Sequence, residues 1–248
     1  MTGDAVTGDA VTSDAVTGDA VTSDAVTGDA VTSDAVTTDD SATEVDRGPV
    51  VDTVLYDLGN VLVGWDPYGP FAGLRRDEVD AFFAETDFLA HNHEQDAGRP
   101  WAELRALVEE SWPQHVHLVD RYVDGFGASL TGPVPGSAEI VDELLAAGTR
   151  LYGLTNWSAE LFHHAVPAAP AIGRLEGIVV SGEVGLAKPD PEIFRLTVER
   201  FGLDPARTVF VDDSPRNVEA ARSVGLHAVH FTSAEALRGE LVALGLLD

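Results

Sequence analysis

The chain has 248 residues, of which 42 are acidic and 15 are basic, and its formal net charge is -27. This charge argues against nucleic acids and anionic membranes as partners, because both require basic surface to neutralise phosphates. The sequence contains no cysteine, which excludes disulfides, thiolate metal ligands and cysteine nucleophiles. Its start does not resemble a secretory signal, and it lacks an apolar run of about 18 residues, so we expect a soluble, cytoplasmic protein.

The N-terminal segment repeats the unit Thr-Gly/Ser-Asp-Ala-Val over residues 2–36. This five-residue period matches neither an α-helix nor a β-strand, so alanine and valine cannot form one continuous apolar face. A pentapeptide β-helix is the alternative, but each of its units would need a large apolar residue that this repeat lacks. Low hydrophobicity and unopposed acidic charge therefore predict a disordered tail over residues 1–47.

From residue 50 onward, apolar runs rich in β-branched residues alternate with helical patterns. We predict strands near Val50–Tyr56, Arg150–Leu154, Gly177–Val180, Thr208–Val211 and His227–His230. We predict helices over Ser137–Ala147, Pro191–Phe201, Pro215–Val224 and Ser233–Leu244. This alternation indicates an α/β fold with a Rossmann-like parallel sheet.

The first two predicted strands are separated by more than ninety residues, far more than one crossover needs. The intervening segment must therefore contain a further folded unit. It reads as several helices with apolar anchors at Phe71, Phe82, Phe83, Phe88, Trp101, Leu104 and Trp112. We predict a helical cap over residues 68–131, inserted into a core formed by residues 48–67 and 132–248.

Polar residues follow the predicted strands at the carboxyl edge of the sheet, where ligands bind in open α/β folds. Together they supply one carboxylate, one hydroxyl, the only lysine of the chain and a pair of adjacent carboxylates. Phosphoryl transfer needs these groups: an attacking oxygen, donors for the phosphoryl oxygens, and Mg²⁺ held by hard oxygen ligands. Each cluster alone could be structural, as a turn or a helix N-cap, but their order and shared location predict one site.

These clusters resemble the haloacid dehalogenase (HAD) superfamily over about four fifths of the chain, from Val50 to Leu247. The motifs that carry the resemblance are Tyr56-Asp57-Leu58-Gly59-Asn60, Leu154-Thr155-Asn156, Lys188-Pro189-Asp190-Pro191 and Val211-Asp212-Asp213-Ser214-Pro215-Arg216-Asn217. The resemblance implies a C1-type cap between the first two motifs, which agrees with the insertion inferred from loop length.

By position, the resemblance implies that Asp57 is the nucleophile that forms an aspartyl-phosphate. It implies that Thr155 and Asn156 donate to the phosphoryl oxygens, and that Lys188 bridges the nucleophile and the phosphate. The implied Mg²⁺ ligands are Asp57, the carbonyl of Gly59 and Asp213, with Asp212 as a further ligand or a supporting carboxylate.

Gly59 departs from the pattern of the family's phosphatases. Those enzymes usually have a second aspartate at this position, which protonates the leaving group and then activates water. The family's dehalogenases also lack this acid, but the adjacent carboxylates of Asp212 and Asp213 favour a metal, which dehalogenation does not need. We hypothesise that Asp66, His93 or a substrate-bound water replaces the missing acid.

The Asp-Leu-Gly-Asn sequence also resembles a subset of sugar-phosphate phosphatases that act on α-glucose 1-phosphate. Asp66 and the fragment His91-Asn92-His93-Glu94 have counterparts in that subset. We therefore expect substrate contacts from Asp66, His93 and Glu94. Trp157, with Trp65, could form a wall of the pocket or pack the cap on the core.

We thus predict a Mg²⁺-dependent hydrolase of small phosphomonoesters, such as sugar phosphates, with a small phosphorylated metabolite as its partner. Two alternatives remain open: a metal-independent 2-haloacid dehalogenase-type hydrolase, and a catalytically weak protein that binds phosphoryl ligands. The sequence leaves the oligomeric state open.

Overall fold

The structure is a computed structural model in which residues 50–248 are described. The predicted disorder of residues 1–47 lies outside the described residues. The strands are β1 (Thr53–Tyr56), β2 (Val63–Trp65), β3 (Leu130–Pro133), β4 (Arg150–Thr155), β5 (Gly177–Val180), β6 (Thr208–Asp212) and β7 (His227–His230). The α-helices are α1 (Arg76–Thr86), α2 (Phe88–Asp96), α3 (Trp101–Ser111), α4 (Val116–Asp124), α5 (Ser137–Ala146), α6 (Ala165–Ala168), α7 (Ser181–Val184), α8 (Pro191–Phe201), α9 (Pro215–Ser223) and α10 (Ala234–Ala243). Within residues 50–248, no helix is long and apolar enough to cross a membrane.

The central sheet has five parallel strands in the order β5-β4-β1-β6-β7. The predicted α/β fold with a Rossmann-like sheet is therefore confirmed. The chain builds the β4–β5 side of the sheet first and then returns to the other side of β1 for β6 and β7. This reversal places the carboxyl ends of β4, β1 and β6 side by side, which is where α/β folds bind ligands.

The sheet is covered on both faces, because its strands are apolar on both sides. In β1, Val54 and Tyr56 belong to one apolar cluster and Leu55 to another, as expected from the alternation of side chains along a strand. The first cluster includes Leu144 of α5, and the second includes Phe194 of α8. All four residues of β1 are buried, so the strand that leads to Asp57 is fixed from both faces.

Helices α1 to α4 lie between β2 and β3, in the segment predicted to be a helical cap. Their interior is a cluster of aromatic rings in which Phe82 lies 4.8 Å from Phe88, and Phe88 lies 4.8 Å from Tyr122, measured between ring centroids. Strands β2 and β3 form a separate antiparallel pair that was not predicted. Gly64 and Gly132 occupy this pair, and glycine disfavours strands, so these strands had no clear signal in the sequence.

Three hydrogen bonds join the helical segment to the loop after β4 and to α7. The indole Nε1 of Trp101 donates to Ser158 Oγ at 3.0 Å, and the backbone N–H of Trp101 donates to the Glu160 carboxylate at 2.9 Å. The hydroxyl of Ser181 donates to the backbone carbonyl of Asp96. These contacts hold the C-terminal end of α2 and the first turn of α3 against the carboxyl edge of the sheet.

Gly182 allows the loop after β4 to pass close to α7. A Cβ atom at this position would lie 2.5 Å from the backbone nitrogen of Ala159 and 2.8 Å from the carbonyl oxygen of Trp157.

We expect Gly182→Ala to lower the free energy of unfolding by about 1–3 kcal/mol, the usual cost of overpacking. Gly239 in α10 is the matched control, because a Cβ there would meet nothing within 4 Å; Gly239→Ala should raise stability by about 0.5–1 kcal/mol. Urea unfolding measures both, and equal midpoints for the two variants would contradict this account.

Candidate active site

The four polar clusters of the sequence meet at the carboxyl edge of the sheet. Asp57 follows β1, Thr155 is the last residue of β4, and Asp212 is the last residue of β6. Lys188 lies in the loop between α7 and α8. Since β1 lies between β4 and β6, Asp57 stands at the centre of this group.

Lys188 is a buried cation between two carboxylates. Its Nζ atom lies 2.8 Å from Asp57 Oδ1 and 2.7 Å from Asp212 Oδ2, and the residue is only 2% exposed. Burial lowers the pKa of Lys188, but the two carboxylates outweigh this effect, so its pKa lies above the usual value. The ammonium therefore stays charged, and the sole lysine of the chain has a clear electrostatic role.

The backbone of Lys188 is held by Asn156. The Asn156 side chain donates to the carbonyl of Lys188 and accepts from its N–H, both at 2.8 Å. The Lys188–Pro189 peptide bond is cis. The next helix starts immediately, because Asp190 accepts a hydrogen bond from the N–H of Glu192 as an N-cap. The segment from Lys188 to Asp190 is thus held by hydrogen bonds at both of its ends.

Asp212 is fully buried, and both of its carboxylate oxygens have partners. Oδ1 accepts from the backbone N–H of Ser214 at 2.8 Å, and Asn217 Nδ2 donates to both oxygens at 3.0 Å. Oδ2 also receives the ammonium of Lys188. Asp212 is therefore saturated by protein donors and orients Lys188. Asn217, the last residue of the fourth motif, thus satisfies both oxygens of Asp212.

Asp57 has one oxygen engaged and one free. Oδ1 accepts from the backbone N–H of Leu58 at 2.7 Å and pairs with Lys188; among the described residues, no hydrogen bond reaches Oδ2. Burial raises the pKa of Asp57 to about 7, with Asp212 adding to the rise and Lys188 opposing it. Asp213 is half-buried, and burial likewise raises the pKa of its carboxyl.

The carboxylates form a donor set that fits a divalent cation. Oxygen atoms of Asp57, Asp212 and Asp213 lie within 4.8 Å of one another. Three carboxylates face one ammonium, so the cluster carries excess negative charge. Within residues 50–248, no hydrogen bond reaches the carbonyl of Gly59, because Val63 donates to the carbonyl of Leu58 instead. Carboxylate and carbonyl oxygens are ligands that suit Mg²⁺.

Asn60 shapes the turn that follows Asp57. Its φ is +56°, a left-handed conformation that asparagine tolerates better than most residues. Its side chain accepts from the N–H of Trp65 at 3.1 Å and donates to Asp213 at 3.3 Å. The sequence indicated only a turn former here, whereas the structure shows that Asn60 connects the turn to a candidate metal ligand.

A cavity of about 170 Å³ opens beside these groups. Its lining combines residues of the first two motifs with residues of the helical segment: Gly59, Asn60, Val63, Trp65, Asn92, Asp96, Phe126, Asn156 and Trp157. The sequence suggested roles for Gly59, Asn156, Trp157 and Trp65 in the site, but it suggested none for Asn92 or Asp96. A larger open depression of about 650 Å³ lies at the opposite edge of the sheet, around Asp52 and Thr149.

Asp66, His93 and Glu94 lie outside the lining of this cavity. All three are exposed. Asp66 accepts a hydrogen bond from the N–H of Tyr68 at 2.9 Å and so stabilises a turn. Glu94 forms an ion pair with Arg99 and a hydrogen bond with His91 on the outer side of α2. Asn92 and Asp96 are one helical turn apart and present the opposite face of α2 to the cavity.

The fold and the site together define an α/β enzyme with a candidate carboxylate nucleophile at the carboxyl edge of its sheet. Residues 51–225 match the family model of the haloacid dehalogenase-like hydrolases. The chain therefore belongs to this hydrolase family, and the resemblance inferred from its four motifs is confirmed.

Two relatives in sequence cover most of the chain. Sesquiterpene phosphatase astK of Aspergillus oryzae is 25% identical over 75% of this chain and 93% of its own length. Flavin mononucleotide hydrolase 1 of Arabidopsis thaliana is 28% identical over 83% of this chain and 82% of its own length. A solved HAD family enzyme of Bacteroides thetaiotaomicron, in complex with magnesium and inorganic phosphate, shares the fold with a TM-score of 0.59 at 22% identity, covering 74% of this chain and 95% of that one.

Removing the charge of Lys188 should destabilise the fold, because it leaves two buried carboxylates without their cation. We expect Lys188→Met to lower the free energy of unfolding by about 3–5 kcal/mol when a buried pair is broken in this way. Adding Asp212→Asn to this variant should recover part of the loss, since one of the two charges is then removed.

Urea unfolding in chelator, at a pH above the pKa of about 7 of Asp57, measures this coupling for the wild type, both single variants and the double variant. Asp212→Asn alone should be destabilising, because it removes the charge of one of the two carboxylates that pair with Lys188. The interpretation is wrong if Asp212→Asn costs as much in the Lys188→Met background as it does in the wild type.

Proposed function

We propose that this protein is a Mg²⁺-dependent phosphomonoester hydrolase that uses Asp57 as its nucleophile. The observation that carries the proposal is the ammonium of Lys188, which lies 2.8 Å from Asp57 and 2.7 Å from Asp212. A cation held beside an otherwise available carboxylate can receive a negatively charged phosphoryl group without reorganising. Asp213 belongs to the same cluster of carboxylates as Asp57 and Asp212.

In the first half of the reaction, a carboxylate oxygen of Asp57 attacks phosphorus and the ester oxygen leaves. Lys188 would balance charge on the phosphoryl oxygens while it orients Asp57. The hydroxyl of Thr155, at the end of β4, would donate to the same oxygens. The side chain of Asn156 is engaged with the backbone of Lys188, so we assign it the role of positioning that residue.

In the second half, water attacks the phosphorus of the aspartyl-phosphate. The bond between phosphorus and Asp57 breaks, inorganic phosphate leaves, and the carboxylate of Asp57 is regenerated. We assign Asp57, Asp213 and the carbonyl of Gly59 as ligands of Mg²⁺, with Asp212 orienting Lys188 because its oxygens already have partners. When bound, Mg²⁺ would neutralise charge that develops on the phosphoryl group.

The cavity supports a small substrate. Its volume of about 170 Å³ is below the range of about 300–1,000 Å³ typical of sites for drug-sized ligands. Trp65, Phe126 and Trp157 provide apolar walls, and three asparagines make the rest of the lining more polar. The buried Nε1 of Trp157 has no hydrogen-bond partner among the described residues, so a substrate oxygen could accept from it. We propose a compact polar alcohol, such as a sugar, as the esterified group.

The comparisons support phosphate ester chemistry more than any particular alcohol. One relative is named as a phosphatase of sesquiterpenes and the other as a hydrolase of flavin mononucleotide, which is also a phosphate ester. These alcohols differ widely in size and polarity. The support for a sugar as the alcohol is the cavity of this chain and its resemblance to the α-glucose 1-phosphate phosphatases.

A metal-independent dehalogenase is the second candidate. It is favoured by Gly59, because attack of Asp57 on carbon releases a halide that needs no proton. The cluster of Asp57, Asp212 and Asp213 speaks against it, because this excess of negative charge favours a bound cation.

We expect phosphate release from small phosphate esters to require both Mg²⁺ and Asp57. Asp57→Asn should lower kcat by at least about a thousandfold, because it removes the nucleophile, and chelator should abolish turnover by the wild type. Asp124→Asn is the matched control, since Asp124 is exposed at the end of α4. Phosphate release is measured over a panel of sugar phosphates and aryl phosphates.

The other outcomes identify the alternatives. Halide release from 2-haloacids in the presence of chelator, without phosphate release, would establish the dehalogenase. Saturable binding of a phosphate mimic such as vanadate, with no turnover of any ester or haloacid, would establish a phosphoryl-ligand binder.

A further inference from the structure

The space beside Gly59, where an acidic side chain would stand, is open. Gly59 lies two residues beyond the candidate nucleophile, where the phosphatases of the family usually have an aspartate. A Cβ atom placed on Gly59 would meet nothing within 4 Å, and Gly59 itself lines the cavity. The cavity therefore has room beside Gly59 for a proton donor supplied by another part of the chain.

Asp96 is the only ionisable side chain among the nine described residues that line this cavity. It is the last residue of α2 and faces the cavity together with Asn92, whose Nδ2 donates to Asp96 Oδ2 at 3.3 Å. The hypothesis from the sequence named Asp66 and His93 for this role, but both are exposed and lie outside the lining.

One hydroxyl connects the backbone of Asp96 to the residue that follows the second motif. Ser181 is fully buried; its Oγ donates to the carbonyl of Asp96 and accepts from the backbone N–H of Trp157 at 2.9 Å. Two residues later, Gly98 has a φ of +104°, and a Cβ there would lie 3.3 Å from the carbonyl oxygen of Gly182. The chain around Asp96 is therefore held directly against the core.

The surroundings of Asp96 favour its protonated form. Burial raises the pKa of Asp96 to about 7, against a smaller lowering effect of the Ser158 backbone N–H. The phenol of Tyr122 in α4 interacts with Asp96 electrostatically, and the carboxylate of Asp96 helps to raise the pKa of that phenol, after burial. A carboxyl group with a pKa near neutrality can both donate and accept a proton, as general acid–base catalysis requires.

We propose that Asp96 is the general acid and base of the reaction, supplied by the helical segment in place of an acid at position 59. This inference rests on the proposed phosphatase function. As the bond between Asp57 and phosphorus forms and the ester bond breaks, Asp96 gives its proton to the departing alkoxide oxygen. Its carboxylate then takes a proton from the water that attacks phosphorus, which returns Asp96 to its acid form and frees phosphate.

The leaving group provides the test. Alkoxides of sugars and glycerol need a proton to leave, whereas p-nitrophenolate does not. We expect Asp96→Asn to lower kcat/KM for alkyl phosphates by about a hundredfold to ten-thousandfold and to change kcat/KM for p-nitrophenyl phosphate little. Because the base is also lost, p-nitrophenolate should appear in a burst followed by slow turnover. Asp124→Asn, the same chemical change at the exposed end of α4, is the control and should match the wild type for both esters.

A double-mutant cycle with Gly59→Asp provides a second readout. The open space at Gly59 accommodates this side chain, so Gly59→Asp should raise turnover of alkyl phosphates more in the Asp96→Asn background than in the wild type. An equal effect in both backgrounds would show that Asp96 does not serve as the acid.

The proposal is overturned if Asp96→Asn has the same kcat/KM as Asp124→Asn for alkyl phosphates. It is also overturned if Asp96→Asn lowers kcat/KM equally for alkyl and p-nitrophenyl phosphates, as a merely structural role would. Either result beside an Mg²⁺- and Asp57-dependent wild type would leave the phosphatase function intact. A wild type that releases phosphate from neither ester would overturn both proposals.

Discussion

The buried contact of Lys188 with Asp57 and Asp212 is the interaction on which the site depends. Taking these charges out of water is costly unless each is paired and hydrogen-bonded. Asn156 holds the backbone of Lys188, and Asn217 satisfies both oxygens of Asp212. The result is a carboxylate with a cation already in place beside it, at the central strand of the sheet. Such preorganised charge is the main source of catalytic power in phosphoryl transfer.

The sheet edge and the helical segment contribute different groups to the site. The carboxylates and the lysine lie at the carboxyl edge of the sheet, while α2 adds Asn92 and Asp96 to the lining of the adjacent cavity. Ser181 connects them, because its hydroxyl contacts the backbone of both Asp96 and Trp157. Under this account, a carboxyl of α2 that lines the same cavity as Gly59 compensates for the loss of an acid next to the nucleophile. Proton transfer then depends on how the helical segment packs on the core.

The sheet and its central cluster could be predicted from the sequence, because parallel strands such as β1 and β6 are continuous apolar runs that end in charged residues. Strands β2 and β3 could not, since glycines weaken their local signal. Asp96 could not be identified either. It lies in the polar run His91-Asn92-His93-Glu94-Gln95-Asp96, which has no apolar stripe to show which face is buried. Only the packing of α2 on the core reveals that Asn92 and Asp96 face inward while His93 and Glu94 face outward.

Acid quenching during turnover tests the central claim most directly. The wild type, with Mg²⁺ and p-nitrophenyl phosphate, is quenched in acid and digested, and the peptide that contains Asp57 is weighed by mass spectrometry. The account predicts that this peptide gains one phosphoryl group in the wild type and none in Asp57→Asn, with a larger phosphorylated fraction in Asp96→Asn because hydrolysis of the intermediate is slowed. Turnover by the wild type without any phosphorylated Asp57, in Asp96→Asn as well, would contradict a covalent mechanism at this residue.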